Sequence, residues 1–123
     1  MCKLMSALAY LHELGIVHRD VKLNNILVMQ CTGREDIRLI DFGLAKVMSA
    51  KRVRDRVKVG TYTHMAPEVL KGIYSAKCDV WGAGVSLCCL ATGINPFKKG
   101  KKEQTLECIL NDNLSFDGKI III

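Results

Sequence analysis

The chain has 123 residues, 50% of them hydrophobic and 24% charged, with a formal net charge of +6. That length excludes a large multidomain enzyme but allows one buried core, and the composition is that of a globular chain rather than a disordered one. The six cysteines (Cys2, Cys31, Cys78, Cys88, Cys89 and Cys108) contain no zinc-knuckle pair and follow no secretory leader, so they are expected to be mostly buried small hydrophobes, not disulfides.

Met1 to His12 reads as a helix, with Leu4, Leu8 and Leu11 on one face and Gly15 as its stop. Ile16-Val17 is a short extended piece, and a polar loop runs from His18 to Asn25. Ile26 to Met29 and Ile37 to Ile40 read as two antiparallel strands joined by a turn-rich stretch, Cys31 to Asp36. Asp41-Phe42-Gly43 breaks the second strand. From Leu44 to about Tyr62 no period is visible, which predicts a long functional or mobile loop. Within it, the segment from Lys51 to Lys58 holds five basic residues and one acidic, Asp55. Such a run reads first as a solvated face and second as a site attracting an anion or an acidic peptide. Without interleaved aromatics it does not read as a nucleic-acid site.

Pro67 opens a short helix over Glu68 to Leu70. Ser75 to Asp79 lead into a longer helix through Val80, Gly84, Leu87 and Leu90, with Trp81 and Val85 on the same face and Gly93 as its end. Asn95-Pro96-Phe97 is a turn. Lys101 to Asn111 is a last helix with Leu106, Ile109 and Leu110 as its apolar side. The longest apolar run, Val85 to Ile94, is too short to cross a bilayer, so no membrane partner is expected. The abrupt helical start and the exposed Ile120 to Ile123 tail point to a truncated or incorrectly predicted gene product.

Two polar clusters carry the chemistry: His18-Arg19-Asp20-Val21-Lys22-Leu23-Asn24-Asn25 and Asp41-Phe42-Gly43. A hairpin from Ile26 to Ile40 would bring Asn25 and Asp41 together, an amide oxygen and a carboxylate suited to magnesium. Asp20 and Lys22 project from the same loop. A base, a cation and a metal pair in one cleft form the set that phosphoryl transfer needs.

These stretches resemble the catalytic loop and the magnesium-binding loop of eukaryotic protein kinases. Gly60-Thr61-Tyr62-Thr63-His64-Met65-Ala66-Pro67-Glu68 resembles the end of their activation segment, and Asp79-Val80-Trp81-Gly82-Ala83-Gly84-Val85 the helix that follows. The resemblance runs from Leu4 to about Phe116. Tyr74 to Trp81 and Leu114 to Asp117 are similar to the calcium/calmodulin-regulated and calcium-dependent group.

The resemblance implies a protein-kinase-like fold over residues 1–123. This would be a partial C-terminal lobe, mainly α-helical, with a small β-hairpin and a long activation loop. It implies Asp20 as catalytic base, Lys22 on the transferred phosphate, Asn25 and Asp41 on magnesium, and Thr61 bridging Asp20 and Lys22, the mark of a serine/threonine enzyme. His18 and Phe42 would be scaffold, with Gly43 completing the magnesium loop. Asp79 would accept hydrogen bonds from the catalytic-loop backbone. Arg19 would pair with a phosphorylated residue of the activation segment. Here either Asp55 takes that place unmodified, the favoured reading, or Thr63 carries the phosphate. Glu68 would pair with an arginine beyond residue 123. His64 departs from the usual tyrosine, and Gly82 from a frequent serine.

No glycine-rich phosphate loop and no Val-Ala-x-Lys strand occur, so the N-lobe and the distal C-lobe are expected to be absent. The implied function is a serine/threonine protein kinase using ATP and Mg2+ on protein substrates, with a regulatory domain outside the chain. Its expected location is the cytoplasm, with the nucleus second, and these residues alone are expected to be inactive. The alternative is a non-catalytic kinase-derived fragment or a pseudokinase-like binding module.

Overall fold

The computed structural model describes residues 1–31, 33–55 and 58–111. The Leu114 to Asp117 stretch, the terminal isoleucines, and Arg56 and Val57 of the basic run lie outside the described residues.

Helix α1, Cys2–Glu13, buries Leu4 and Leu8. Its end is closed by Leu14 N–H on Tyr10 O at 3.3 Å and Gly15 N–H on His12 O at 3.0 Å. Gly15 sits at φ +72°, a left-handed conformation that glycine adopts without a Cβ penalty. Strand β1, Ile16–Val17, then pairs antiparallel with β4, Lys46–Val47.

The hairpin is longer than its sequence pattern predicts. Strands β2, Ile26–Cys31, and β3, Arg34–Leu39, pair from Ile26 opposite Leu39 to Cys31 opposite Arg34. Arg34, Glu35 and Asp36 therefore belong to the ladder, not to a turn-rich connection. Backbone pairing carries the strands past the apolar residues, because the ladder bonds are made whatever the side chain. Gly33, at φ +77°, sits between the two strands.

The stretch after Asp41 also contains more order than its lack of period implies. Besides β4, it holds β5, Val53–Arg54, paired antiparallel with β6, Ile73–Tyr74. Two-residue strands are too short to leave a readable alternation. Helix α2, Pro67–Leu70, has proline in its first turn. Helix α3 spans Lys77–Thr92 and ends at Gly93, φ +72°. Helix α4 spans Lys102–Leu110. Between α3 and α4, Asn95 Oδ1 accepts from the amides of Phe97 and Lys98, each at 3.0 Å, which makes the expected turn.

Only part of the face that the apolar spacing selects is buried in α3: Val85 is buried and Trp81 half-buried. Val80, Leu87 and Leu90 are 44%, 45% and 59% exposed, while Cys78, Asp79, Gly82, Ala83, Val85 and Ser86 are buried. A helix apolar on all sides gives periodicity nothing to choose by. Its two unusual residues mark the buried face instead. Asp79 is held as described below, and a Cβ at Gly82 would lie 2.6 Å from Val21 O. The glycine found where serine is frequent thus lets α3 press against the backbone of the His18–Asn25 loop. In α4, Ile109 is buried but Leu110 is exposed, and Thr105 takes the inner place. Its hydroxyl donates to Lys101 O at 3.2 Å and accepts from Lys99 N–H at 2.9 Å.

The core comprises three clusters. Val17, Ala66, Val69, Tyr74 and Cys78 join β1, α2, β6 and α3. Leu4, Leu8, Val21 and Ala83 join α1 to α3. Val85, Phe97 and Ile109 join α3 to α4, with Trp81 stacked on Phe97 at 5.1 Å. Cys2, Cys78, Cys88, Cys89 and Cys108 are free, and of these five only Cys78 is buried; Cys2 is exposed, and Cys88, Cys89 and Cys108 are half-buried. The expectation that most thiols are core residues fails, because α3 and α4 leave one side uncovered. Burial, with the charges of Asp79 and Glu68 adding to it, pushes the Cys78 thiol up to about 12. Among the described residues no helix is long and apolar enough to cross a membrane.

Candidate active site

The His18–Asn25 loop leaves β1 and reaches β2 through a 3-10 turn, Leu23–Asn25. Its entry is fastened to Asp79, which is 1% exposed. One carboxylate oxygen accepts from His18 N–H at 2.9 Å, and the other from Arg19 N–H at 2.8 Å. His12 Nε2 lies 2.8 Å from the first. Arg19 is held at φ +68°, a conformation that costs a non-glycine residue about 1–2 kcal/mol and persists only where neighbours over-determine it.

His18 is fully buried. Its Nδ1 accepts from Asp20 N–H at 3.3 Å and its Nε2 donates to Ile40 O at 3.0 Å. Phe42 meets the imidazole edge-on with ring centroids 4.9 Å apart. Nε2 thus ties the loop to the end of the hairpin, while Nδ1 braces the loop on itself.

Asp20 is the most densely contacted side chain of the loop. Its Oδ2 accepts from Lys22 Nζ at 2.7 Å and from Asn25 Nδ2 at 3.1 Å. Its Oδ1 accepts from both the amide and the hydroxyl of Thr61, each at 2.8 Å. Lys22 Nζ also donates to Thr61 Oγ1 at 2.8 Å. Burial opposes the charge on Asp20. The bonds from Lys22 and Thr61, with the ammonium charge, outweigh it and hold the carboxyl below its ordinary value. Asp20 is therefore an ionised acceptor at neutral pH. Gly60 makes this approach feasible: it stands at φ +106°, and a Cβ there would fall 2.5 Å from Arg19 O.

Asn25 C=O ties the loop to the strand break, accepting from Ile40 N–H, the residue before Asp41, at 2.9 Å, while Asn25 N–H donates within the loop to Lys22 O at 2.9 Å. Asn25 Nδ2 donates to Asp20 O at 2.9 Å as well as to the Asp20 carboxylate. With the amide nitrogen so engaged, Asn25 Oδ1 is left without a hydrogen bond yet is not sealed from solvent. Asp41, exposed and at φ +63°, receives Gly43 N–H at 3.3 Å on Oδ1 and no other donor among the described residues. Among the described residues no group of three or more His, Cys, Asp or Glu could hold a metal. One carboxylate and one amide oxygen still fit magnesium, which takes few protein ligands and completes its shell with phosphate and water.

Arg19 donates from Nε to Leu44 O at 2.6 Å, lies 5.4 Å from the Tyr74 ring centroid, and reaches Asp55 Oδ2 at 3.5 Å. Lys46 Nζ meets the same oxygen at 2.9 Å. Thr63 is buried, its hydroxyl 3.1 Å from His64 Nδ1 and its carbonyl accepting from Asn95 Nδ2 at 3.2 Å. Burial lowers the pKa of His64, and the Lys22 charge adds to this against the pull of Asp20. Glu68, half-buried, makes no ion pair among the described residues.

Three of these partners escape a reading of the sequence. His12 continues the Leu4–Leu8 spacing by four, so a polar residue on a buried stripe was the available signal. Lys46, which precedes the Lys51 to Lys58 run, left no signal. Tyr74, whose hydroxyl accepts from Val59 N–H at 3.0 Å, enters the sequence reading only as the first residue of the Tyr74 to Trp81 resemblance.

The family model described as protein kinase domain matches residues 1–119. Calcium-dependent protein kinase 5 of Plasmodium berghei is 38% identical over 119 residues, which cover 96% of this chain and 21% of that protein. Serine/threonine-protein kinase PEPKR2 of Arabidopsis thaliana is 42% identical over 114 residues, 93% of this chain and 23% of that protein. Serine/threonine-protein kinase zyg-8 of Caenorhabditis elegans is 42% identical over 120 residues, 94% of this chain and 15% of that protein. The chain spans about a fifth of the length of the first two. From Met1 to Lys119 the chain belongs to the protein kinase domain family, among serine/threonine kinases including the calcium-dependent ones.

Proposed function

We propose that residues 1–123 are a partial C-lobe, running from the helix before the catalytic loop to the helix after Pro96-Phe97. In the whole protein this lobe transfers the γ-phosphate of ATP to serine and threonine hydroxyls of protein substrates. The observation that carries this reading is the Asp20 carboxylate, held ionised and oriented by Lys22, Thr61 and Asn25. Asp20 is placed to accept the proton of an incoming hydroxyl. Lys22, 2.7 Å away, supplies the positive charge that a phosphoryl group in transit requires. Asn25 Oδ1 and the Asp41 carboxylate would hold magnesium, which supplies charge neutralisation to the phosphates. A regulatory segment outside these residues fits the likeness to calcium-dependent kinases.

Leu44 to Tyr62 is then the activation loop, and Asp55 occupies the place of a phosphorylated residue. Bridged by Arg19 and Lys46, it fixes β5 without modification. Thr63 is a poor phosphate acceptor because its hydroxyl is buried against His64. In a chimera that joins this chain to an N-lobe and a distal C-lobe, Asp55→Ala should lower phosphate transfer by about tenfold, the weight of a partly buried charge pair of about 1–2 kcal/mol. Thr63→Ala should change it less. Loss of transfer in the threonine variant alone would assign the switch to Thr63.

A glycine-rich phosphate loop is not among these 123 residues, so they alone give the phosphates of ATP no cradle. Incubated alone with radiolabelled ATP and a basic serine peptide, they should transfer nothing above background. Joined to an N-lobe and a distal C-lobe they should transfer phosphate. Turnover by the chain alone near the usual kinase range, about 1–100 per second, would defeat the division of labour between the lobes.

A further inference from the structure

A cavity of about 500 Å³ opens between the end of α1, the β4–β5 connection and the start of α3. It lies in the size range of peptide and small-molecule sites. Gly15, Val17, Met48, Ala50 and Ala76 line it with apolar surface, and Lys51, Arg52 and Lys77 stand among its lining residues. These three side chains are exposed, and none forms an ion pair among the described residues. Lys46 and Arg19, by contrast, are both engaged by Asp55. The arrangement is therefore not a general basic surface. It is an apolar pocket bordered by three cations that pair with no carboxylate among the described residues, in a chain of net charge +6.

We propose that this cavity binds an acidic peptide segment of a partner protein. An apolar side chain of the peptide would lodge against Val17, Met48 and Ala76, with its carboxylates on Lys51, Arg52 and Lys77. Charge complementarity decides the class of ligand: three cations around an apolar floor favour an anionic chain with an apolar anchor, and disfavour a basic or purely apolar one. The floor separates this from the diffuse attraction that any anion feels. The occupant would also touch His12, whose imidazole bonds Asp79.

The test uses the full chain and a fluorescein-labelled peptide, Glu-Asp-Glu-Phe-Leu-Glu-Asp, followed by fluorescence anisotropy. Binding should be saturable, and should weaken at least about tenfold in a Lys51→Glu, Arg52→Glu, Lys77→Glu variant. Ala50→Trp, which keeps every charge but fills the mouth of the cavity, should weaken it by a similar factor. A peptide with serine in place of Phe-Leu should bind about tenfold less well. Unfolding curves of each variant confirm that the fold survives. If Ala50→Trp and the serine peptide bind as tightly as their parents, the attraction is charge alone and the proposal fails. Equal binding of heparin or of a single-stranded RNA at the same ionic strength would overturn it likewise.

Discussion

Replacing Asp79 with alanine lowers the stability of the chain by about 3–5 kcal/mol, enough to unfold much of it. Its carboxylate is the common acceptor for the His18 and Arg19 amides and the contact of His12. Removing it orphans two backbone donors, at about 1–3 kcal/mol each where water cannot replace the partner. It also releases Arg19 from a left-handed conformation that nothing else enforces so directly. Asp79→Asn keeps one acceptor oxygen and should cost roughly half as much. Urea unfolding followed by circular dichroism gives both values. An alanine variant within about 0.5 kcal/mol of the parent would mean that the loop is held by something other than Asp79.

Much of this anchoring was legible before any coordinates, and the limits have physical causes. Asp20, Lys22 and Asn25 share one short loop, so their proximity followed from the residues. The reach of Thr61 to Asp20 and of Asp79 to the loop backbone came only from the resemblance to protein kinases. The buried face of α3 was only partly legible, because Val80, Leu87 and Leu90 are as apolar as the residues that pack inward, and Gly82 and Asp79 look like poor core residues until their neighbours are known. The extra strand length at Arg34 to Asp36 was hidden because charged side chains carry no alternation. The pairs β1–β4 and β5–β6 were hidden by their length of two residues. The ion pair of Arg19 with Asp55 depends on a long-range fold of the 44–61 segment that no local pattern encodes; the resemblance to protein kinases, not the residues themselves, made it the favoured expectation. The share of Lys46 in that pair had no sequence signature.

In a protein completed with an N-lobe and a distal C-lobe, Asp20→Asn should cut phosphate transfer by about a hundred- to ten-thousand-fold while leaving the fold intact. Asparagine matches the carboxylate in shape and can still accept from Thr61 or Lys22 on one oxygen. What it loses is the negative charge and the ability to take a proton from the acceptor hydroxyl. The effect belongs to the chemical step, so nucleotide binding should change little and turnover should fall. A defect in apparent ATP affinity with normal turnover would assign Asp20 to substrate binding instead.

The decisive measurement is therefore radiolabelled phosphate transfer from ATP to a serine peptide by a chimera that supplies this chain with both the N-lobe and the distal C-lobe of a calcium-dependent protein kinase, with and without Asp20→Asn. Transfer by the parent within the range of about 1–100 per second, lost in the variant at equal melting temperature and equal nucleotide binding, is the expected result. A folded, ATP-binding chimera that transfers no phosphate, or one whose transfer survives Asp20→Asn, would contradict it.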